Sequence, residues 1–299
     1  MDNRGSSAIG GRTGYVLVVI AAVLVSAVLV PVVWEETSGP DDAVAVVSID
    51  RTITSSTVDA LEEDLREARQ NETVKAVVLK VDSPGGSAAA SERLYLAVQR
   101  TVEADIPVVA SVQATGASGA YYAMLPAERI YTMPSSMVGS VGVRATTPAP
   151  PYGNEIRTGP DKASGTMEQR REQVETLRRM FVGSVMKHRG DDLNISREEV
   201  SHAKVYVGPN AVENGMADRI GTQSDAIEYA ADQAGLDSYA VVEKEPPTLG
   251  GIILLGTDSG QPVVVKKSPV GYDGVDAGTP LMVYGEVQYQ DEVITNGSA

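Results

Sequence analysis

The sequence contains no cysteine, only two histidines and a single phenylalanine among its 299 residues. The lack of cysteine excludes disulfides, thiolate catalysis and cysteine-ligated zinc sites. The two histidines leave little material for a Ser-His-Asp triad, and the sequence shows no His/Asp/Glu cluster at metal-ligand spacing. A glycine-rich phosphate loop of the Walker type is also missing. We expect no metal and no cofactor.

Basic residues are also in the minority. The chain has 25 Lys and Arg against 40 Asp and Glu, which gives a formal net charge of −15. Such a charge repels phosphates, so we expect no nucleic-acid partner. The acidity is spread along the chain, and lysine is scarce relative to arginine. This composition indicates adaptation to high salt, with an ordinary acidic soluble protein as the alternative.

One long apolar run lies near the N-terminus. Tyr15 to Val33 contains no charged residue and is long enough to span a bilayer. Two arginines precede the run and acidic residues follow it, which places the N-terminus in the cytoplasm and the rest of the chain outside. A cleaved signal peptide is the alternative, but the run is longer than a usual signal h-region. We predict a cytoplasmic segment at 1–14, a single-pass cell-membrane anchor in the lipid bilayer at 15–34 and a linker at 35–42.

Beyond the linker, strand-like and helix-like runs alternate along the chain. Such β-α-β alternation predicts an α/β fold with a mainly parallel sheet and helices on its faces. We assign 43–240 to this domain and 241–299 to a tail rich in Gly, Pro and Val, to which the sequence gives no role. The predicted strands are Ala43–Ile49, Val74–Val81, Val108–Val112 and Arg129–Met133, with strand-like runs in the tail at Ile252–Leu255, Val263–Val265 and Leu281–Val287. The predicted helices are Ser56–Gln70, Ala88–Glu103, Thr166–Arg189 and Ser224–Ala234, with shorter segments at Arg197–Ala203 and Asn210–Asn214.

A serine among small residues follows one of these strands. Gly116 to Tyr122, after the strand at Val108 to Val112, puts Ser118 at a strand-to-helix turn. Glycines let backbone approach backbone there, and a helix beginning at Gly119 would aim free N–H groups at an oxyanion beside the serine. A nucleophilic serine and a structural N-cap both fit this pattern.

A second turn contains two adjacent glycines. The buried-strand pattern that ends at Val81 leads through Asp82, Ser83 and Pro84 into Gly85 and Gly86, and then into a helix. The N–H groups of these glycines could complete an oxyanion hole. An ordinary strand-turn-helix connection is the alternative, since Pro-Gly pairs mark many such turns.

Four motifs occur in a characteristic order. They are Asp-Ser-Pro-Gly-Gly at 82–86, Gly-Ala-Ser-Gly-Ala-Tyr-Tyr at 116–122, Gly-Ser-Val-Gly-Val at 139–143, and Gly-Pro-Asp-Lys at 159–162 before a long helix. In this order the chain resembles the signal peptide peptidase A-like serine proteases of peptidase family S49, and the related stomatin-operon proteases. The resemblance covers roughly Ala43 to Leu236.

The resemblance implies a role for each matching residue. Ser118 would be the nucleophile, Lys162 the general base and Ser140 the hydroxyl that orients the lysine. The oxyanion hole would be formed by Gly85 or Gly86 together with the N–H of Gly119. The resemblance also narrows the fold to the spiral shared by Clp proteases and crotonases. It further implies a homo-oligomer in which serine and lysine can come from different protomers.

A lysine base also agrees with the chemistry of the remaining residues. His188 lies at the end of a helix beside other cations and His202 in a charged segment, so neither pattern favours catalysis. A lysine base must be neutral, which requires desolvation to lower its pKa. We therefore expect Lys162 to be shielded by substrate or by a neighbouring subunit.

These patterns together predict a membrane-anchored serine endopeptidase with a Ser/Lys dyad. Its expected substrates are hydrophobic peptides such as signal-peptide remnants or membrane-protein segments. Three alternatives remain open: a protease dedicated to a stomatin-like partner, a crotonase-like acyl-thioester enzyme, and an inactive scaffold.

Overall fold

The computed structural model describes residues 41–145 and 167–244, together with three short strands further along the chain. The strands are β1 (Ala43–Ile49), β2 (Val74–Ser83), β3 (Gly85–Ser87), β4 (Val108–Ala117), β5 (Arg129–Thr132), β6 (Met137–Gly139), β7 (Val205–Val207), β8 (Arg219–Ile220), β9 (Ala240–Lys244), β10 (Ile253–Leu255), β11 (Val263–Val265) and β12 (Leu281–Val283). The helices are α1 (Ser55–Gln70), α2 (Ala88–Val102), α3 (Gly119–Met124), α4 (Met167–Arg189), α5 (Arg197–Val200), α6 (Gly208–Glu213) and α7 (Gln223–Gln233).

Two of the predicted features lie outside these residues. The predicted anchor at 15–34 is one, and the segment that contains Lys162 is the other. Among the helices that are described, none has the length and apolar character needed to cross a bilayer.

Eight of the strands form one sheet. β7, β6, β4, β2, β1 and β9 lie side by side in that order, and β5 and β8 pair next to β4. The pairings are parallel except that between β6 and β7. The predicted α/β fold with a mainly parallel sheet is therefore confirmed. β9 begins at the predicted end of the domain and pairs with β1.

The central strands are apolar on both faces because helices cover both faces. In β1, Ala45 and Val47 face the larger core cluster, which also contains residues of α1 to α4. The alternate residues Val44 and Val46 face a smaller cluster that includes the alanines of α7. This alternation is the two-residue period of a strand.

β4 is longer than its apolar run predicts. The predicted strand ends at Val112, whereas β4 continues to Ala117 and pairs there with β6. The added residues include Gln113, Thr115 and Gly116, whose polar or small side chains do not show a strand pattern in sequence. The extension brings the strand directly to Ser118.

A buried ion pair fixes the end of α4. Arg189 is 4% exposed and donates to both carboxylate oxygens of Asp218, at 2.8 and 2.9 Å. Its guanidinium also donates to the carbonyl of Gly215 at 2.9 Å. The bidentate geometry and the third acceptor satisfy a charge that would otherwise be costly to bury.

Candidate active site

The turn at Ser118 has an unusual backbone. Ser118 has φ 55° and ψ −118°, directly between β4 and α3. Positive φ is unfavourable for a residue with a side chain and is stabilised here by the surroundings. The Ser118 N–H donates to the carbonyl of Gly139 at 2.8 Å, and its own carbonyl accepts from the N–H of Tyr122 at 2.9 Å. The side chain makes no capping hydrogen bond, so Ser118 is not a conventional N-cap.

Gly119 follows the serine at a point where the backbone of α3 touches α2. A Cβ on Gly119 would collide with the hydroxyl of Ser91. Ser91 is itself fixed, because its hydroxyl donates to the carbonyl of Ser87 at 2.9 Å. Only glycine fits between these two elements without a shift of one of them.

The two predicted oxyanion turns meet at Gly85. This residue has φ +97°, and a Cβ on it would lie 2.5 Å from the N of Gly119 and 3.0 Å from the O of Ala117. Its own N–H donates to the hydroxyl of Ser83 at 3.2 Å. The structure therefore brings Gly85 and Gly119, which are distant in sequence, into direct backbone proximity beside Ser118.

Gly86 has β12 along one edge. On its other side, Ile53 donates its N–H to the carbonyl of Gly85 and accepts from the N–H of Ser87, both at 2.9 Å. Because successive residues of a strand point their backbone groups to opposite edges, the N–H of Gly86 points away from Ile53. Along this edge runs β12, which pairs with β3. A side chain at position 86 would collide with the backbone of Ile53, so glycine is required there.

Ser140 follows the strand that runs beside the serine turn. Ala117 and Gly139 are register partners in the parallel pair β4–β6, so the residues after them, Ser118 and Ser140, are neighbours. Ser140 has φ 57°, is 9% exposed and donates its N–H to the carbonyl of Lys204 at 2.8 Å. The strand register therefore places Ser140 beside Ser118, and its predicted role of orienting Lys162 stays a prediction.

The predicted base, Lys162, lies outside the described residues. Among the lysines that are described, Lys204 approaches Ser140 through its backbone, but its amine bonds to the Glu199 carboxylate at 2.9 Å and is half-exposed. That hydrogen bond raises the pKa of Lys204. Lys204 is held as a cation and is unsuited to act as a base.

His188 bonds to a phenol. Its Nε2 lies 2.8 Å from the hydroxyl of Tyr95, and burial lowers its pKa, with a further contribution from Lys187 and Arg189. The exposed His202 donates its backbone N–H to Glu199 in the turn after α5. Contacts of this kind are typical of histidines that support the fold, so neither His188 nor His202 is a candidate catalytic base.

An aromatic cluster supports the helix that follows Ser118. The ring of Tyr122 stacks on Tyr95 with centroids 4.8 Å apart and meets the edge of Phe181 at 5.0 Å. These three residues belong to α3, α2 and α4. Their packing attaches α4 to the serine helix, and α4 is the helix that follows the Lys162 segment in sequence.

Sequence reasoning missed Ser91 and β12 as parts of this site. Ser91 is positioned by the helical spacing from Ser87, which a search for catalytic motifs does not detect. β12 was predicted as a strand, with no indication of its partner. Within the described ranges, no group of three or more His, Asp or Glu side chains is arranged to hold a metal ion.

Two solved structures resemble the fold at low sequence identity. A mutant of the 1510-N membrane-bound stomatin-specific protease has a TM-score of 0.47 and 16% identity, over 69% of this chain and 98% of that chain. A mutant of ClpP1 from Listeria monocytogenes has a TM-score of 0.46 and 15% identity, over 61% of this chain and 94% of that chain.

Sequence comparison gives the family. The profile of peptidase family S49 matches residues 100–149 and 160–237. A protease predicted in Methanocaldococcus jannaschii is 32% identical over 60% of this chain and 62% of its own length. Protease 4 of Salmonella typhi is 26% identical over 64% of this chain, and the chloroplastic serine protease SPPA of Arabidopsis thaliana is 29% identical over 58%. The chain spans 34% and 28% of these two longer relatives. Profile and relatives together identify the matched part of the chain, residues 100–149 and 160–237, as a region of peptidase family S49 that is similar to signal peptide peptidase A-like proteases.

Proposed function

We propose that the chain is a membrane-anchored serine endopeptidase that uses Ser118 as nucleophile and Lys162 as general base. The observation that carries the proposal is the strained, uncapped turn at Ser118, beside which the backbones of Gly85 and Gly119 come together. A turn of this kind fixes a hydroxyl at the end of a strand and surrounds it with backbone donors. The match to peptidase family S49 supports the same reaction class.

The reaction is acyl transfer. The Oγ of Ser118 attacks the carbonyl carbon of the peptide while Lys162 accepts the hydroxyl proton and later delivers it to the leaving amine. The N–H groups of Gly119 and Gly86 stabilise the oxyanion, because the N–H of Gly85 already donates to the hydroxyl of Ser83. Ser140 orients the lysine amine. Water then hydrolyses the acyl-enzyme, so no cofactor takes part in the mechanism.

Labelling with a serine-directed acylating probe tests the reaction class. We expect one adduct, at Ser118, in the mass spectrum of the wild-type chain, and none in Ser118→Ala.

Ser118→Ala and Lys162→Ala should each abolish peptide cleavage without loss of the folded state. Activity should rise toward alkaline pH as Lys162 loses its proton. Binding of coenzyme A without labelling would instead support a crotonase-like enzyme. A chain that neither binds coenzyme A nor reacts with the probe would support an inactive scaffold.

The anchor and the location are parts of the same proposal. The apolar run at 15–33 and the arginines before it support a single-pass cell-membrane protein with its protease domain outside the cytoplasm. A position at the membrane surface favours hydrophobic peptides, including signal-peptide remnants or segments of a stomatin-like partner, as substrates. Protease added to intact cells should digest the domain, whereas protection until lysis would reverse the orientation.

We also propose a homo-oligomer with the dyad shared between protomers, in the spiral architecture of Clp-like proteases. An interface would desolvate Lys162 and so supply the neutral amine that the reaction needs. Mixing Ser118→Ala chains with Lys162→Ala chains tests sharing, because each supplies the group that the other lacks. Recovered activity supports a shared dyad, and an inactive mixture that co-assembles contradicts it.

A further inference from the structure

Two Asn-x-Ser/Thr sequons lie in the described part of the chain. One is Asn71-Glu72-Thr73 and the other is Asn194-Ile195-Ser196, while a third begins at Asn296, outside the described residues. A sequon is the acceptor pattern for an N-linked oligosaccharide, and it is used where it lies on the surface of a translocated domain. Because the two described sequons share the pattern, their contacts decide which of them fits an acceptor.

The first sequon forms the turn between α1 and β2. Its three residues are all exposed, and α1 ends at Asn71. The N–H of Asn71 donates to the carbonyl of Glu67 at 2.9 Å, and the carbonyl of Thr73 accepts from the N–H of Ala43 at 2.7 Å. The main chain of the turn is therefore fixed on both sides, while its side chains remain at the surface.

Hydrogen bonds fix the direction of the Asn71 amide. Its Oδ1 accepts from the backbone N–H of Thr73 at 3.1 Å and from the Thr73 hydroxyl at 2.9 Å. Because a backbone N–H only donates, the amide atom that faces it is the oxygen. None of the described residues accepts a hydrogen bond from Nδ2 of Asn71. The nitrogen that carries the sugar in an N-linked glycan is thus presented at the surface.

The second sequon is bonded to a neighbouring segment instead. The Nδ2 of Asn194 donates to the carbonyl of Glu213 at 2.7 Å, and its backbone N–H donates to the carbonyl of Asn214 at 3.1 Å. The hydroxyl of Ser196 accepts from the N–H of Glu199 at 3.1 Å as the N-cap of α5. A transferring enzyme would have to break these contacts to use Asn194.

The first sequon lies at the edge of the sheet opposite the proposed active site. Asn71 comes just before the amino end of β2, whereas Ser83 at the carboxyl end of β2 pairs with Gly116, two residues before Ser118. β2 has ten residues, which span about 30 Å at the rise of a strand. A glycan on Asn71 therefore leaves the approach of peptides to Ser118 open.

We infer that Asn71 is a modification site that accepts an N-linked oligosaccharide, in preference to Asn194. Its fitness as an acceptor follows from the contacts of the turn and is independent of the peptidase chemistry. Modification in the cell rests in addition on the proposed function, because it requires the domain to lie outside the cytoplasm.

The step is a glycosyl transfer catalysed by a separate oligosaccharyltransferase. The Nδ2 of Asn71 forms a bond to the anomeric carbon of an oligosaccharide carried on a polyprenyl diphosphate. The bond from that carbon to the diphosphate oxygen breaks, and its electron pair leaves with the lipid diphosphate. Nδ2 loses one proton to a base of the transferase, so the step needs no oxidant or reductant.

Glycosylation of the purified, folded full chain tests the site. The chain in detergent is incubated with a purified single-subunit oligosaccharyltransferase and its lipid-linked oligosaccharide, and peptide mapping by mass spectrometry reads each sequon separately. We expect the glycan on the peptide that contains Asn71 and none on the peptide that contains Asn194. Peptide N-glycosidase should remove the glycan and convert the modified asparagine to aspartate.

Substitutions at Thr73 separate the sequon from the fold. Thr73→Val keeps the branched shape but removes the hydroxyl, so the glycan should be lost although Asn71 is still present. Thr73→Ser keeps the hydroxyl and should keep the glycan. Asn194→Gln is the matched control for Asn71→Gln, and only Asn71→Gln should lose the glycan. A cooperative urea transition in each variant shows that it is folded.

The outcomes separate this inference from the proposed function. A folded chain that takes no glycan on Asn71, takes one equally on Asn194, or keeps the glycan in Thr73→Val overturns the inference, whatever its peptidase activity. In cells whose surface proteins carry N-linked glycans, we expect the wild-type chain to be modified at Asn71. A chain that the purified enzyme modifies but those cells do not contradicts the proposed location outside the cytoplasm and leaves the acceptor site supported.

Discussion

Two strand-to-helix junctions each place a hydroxyl residue immediately before a helix, and they are stabilised in opposite ways. Before α7, Thr222 has an extended backbone and its side chain accepts from the N–H of Asp225. The Asp225 carboxylate accepts in return from the N–H of Thr222 at 2.6 Å. Before α3, Ser118 has positive φ and no cap bond. The junction before α7 is stabilised by its own residues, and the junction before α3 by residues from other elements.

The supports of the serine junction come from three directions. The carbonyl of Gly139 accepts from the N–H of Ser118, Ser91 lies against Gly119, and Tyr95 stacks on Tyr122. Strained backbone of this kind persists only where the surrounding structure determines it, and it is commonly found at functional sites. The hydroxyl of Ser118, which makes no cap bond, is therefore the candidate for chemistry, and the capping hydroxyl of Thr222 is not.

The largest effect is expected at the serine itself. Ser118→Ala should lower kcat/KM for a peptide substrate by about a thousandfold or more, because it removes the nucleophile. Since the side chain makes no cap bond, the free energy of unfolding should fall by less than about 0.5 kcal/mol. Enzyme kinetics and urea unfolding measure the two quantities. A variant that retains activity, or one that unfolds readily, would make Ser118 a structural residue like Thr222.

The next effect concerns the backbone that supports the serine turn. Gly85→Ala introduces strain at φ +97° and a Cβ only 2.5 Å from the N of Gly119, so stability should fall by about 1–3 kcal/mol. Activity should fall by more than the loss of folded protein explains, because Gly119 must move.

A second glycine provides the control for Gly85. Gly183 lies within α4, and apart from the neighbouring residues and backbone of its own helix no described atom lies within 4 Å of an added Cβ. Gly183→Ala should therefore stabilise the protein by about 0.5–1 kcal/mol and leave activity unchanged. Equal behaviour of the two alanine variants would show that Gly85 does not support the serine junction.

The sequence could identify the serine turn but not choose between its two interpretations. A small or polar residue between a strand and a helix is the signature of an N-cap and also of a nucleophile. What separates Ser118 from Thr222 is the backbone φ, which depends on contacts with Gly139 and Ser91. Those contacts are long-range and leave no local pattern.

The fold was more predictable than the site. The apolar runs of β1, β2 and β4 are dictated by burial on both faces of the sheet, so they appear directly in the sequence. The pairing of β12 with β3 does not appear in the sequence, because three apolar residues in a tail can pair with any free edge. The roles of Ser118, Lys162 and Ser140 rest on ordered motifs and stay predictions.

A smaller effect is expected at the capped junction. Thr222→Ala removes the acceptor for the N–H of Asp225 and should lower the free energy of unfolding by about 1 kcal/mol. Peptidase activity of the folded protein should not change, since α7 lies against the smaller core cluster. Thr222→Ser restores the acceptor and should recover most of the stability. A large loss of activity in Thr222→Ala at full folding would show that the two junctions are coupled.

The smallest effect concerns the outer support of the serine helix, at His188. Burial lowers the pKa of His188, with Lys187 and Arg189 adding to the shift, so the unfolded chain binds its proton more tightly than the folded chain. Stability from the neutral ring, which bonds to Tyr95, is fully present above the unfolded pKa of about 6.5 and is lost as the pH falls below it.

In urea unfolding between pH 7.5 and pH 5, His188→Gln should therefore lose less stability on acidification than the wild-type chain, although it is less stable at pH 7.5. His202→Gln is the control, because it also removes one histidine but from an exposed position. An unchanged slope in His188→Gln would mean that the histidine does not titrate against folding, and the support of the serine helix would then rest on the rings of Tyr95, Tyr122 and Phe181.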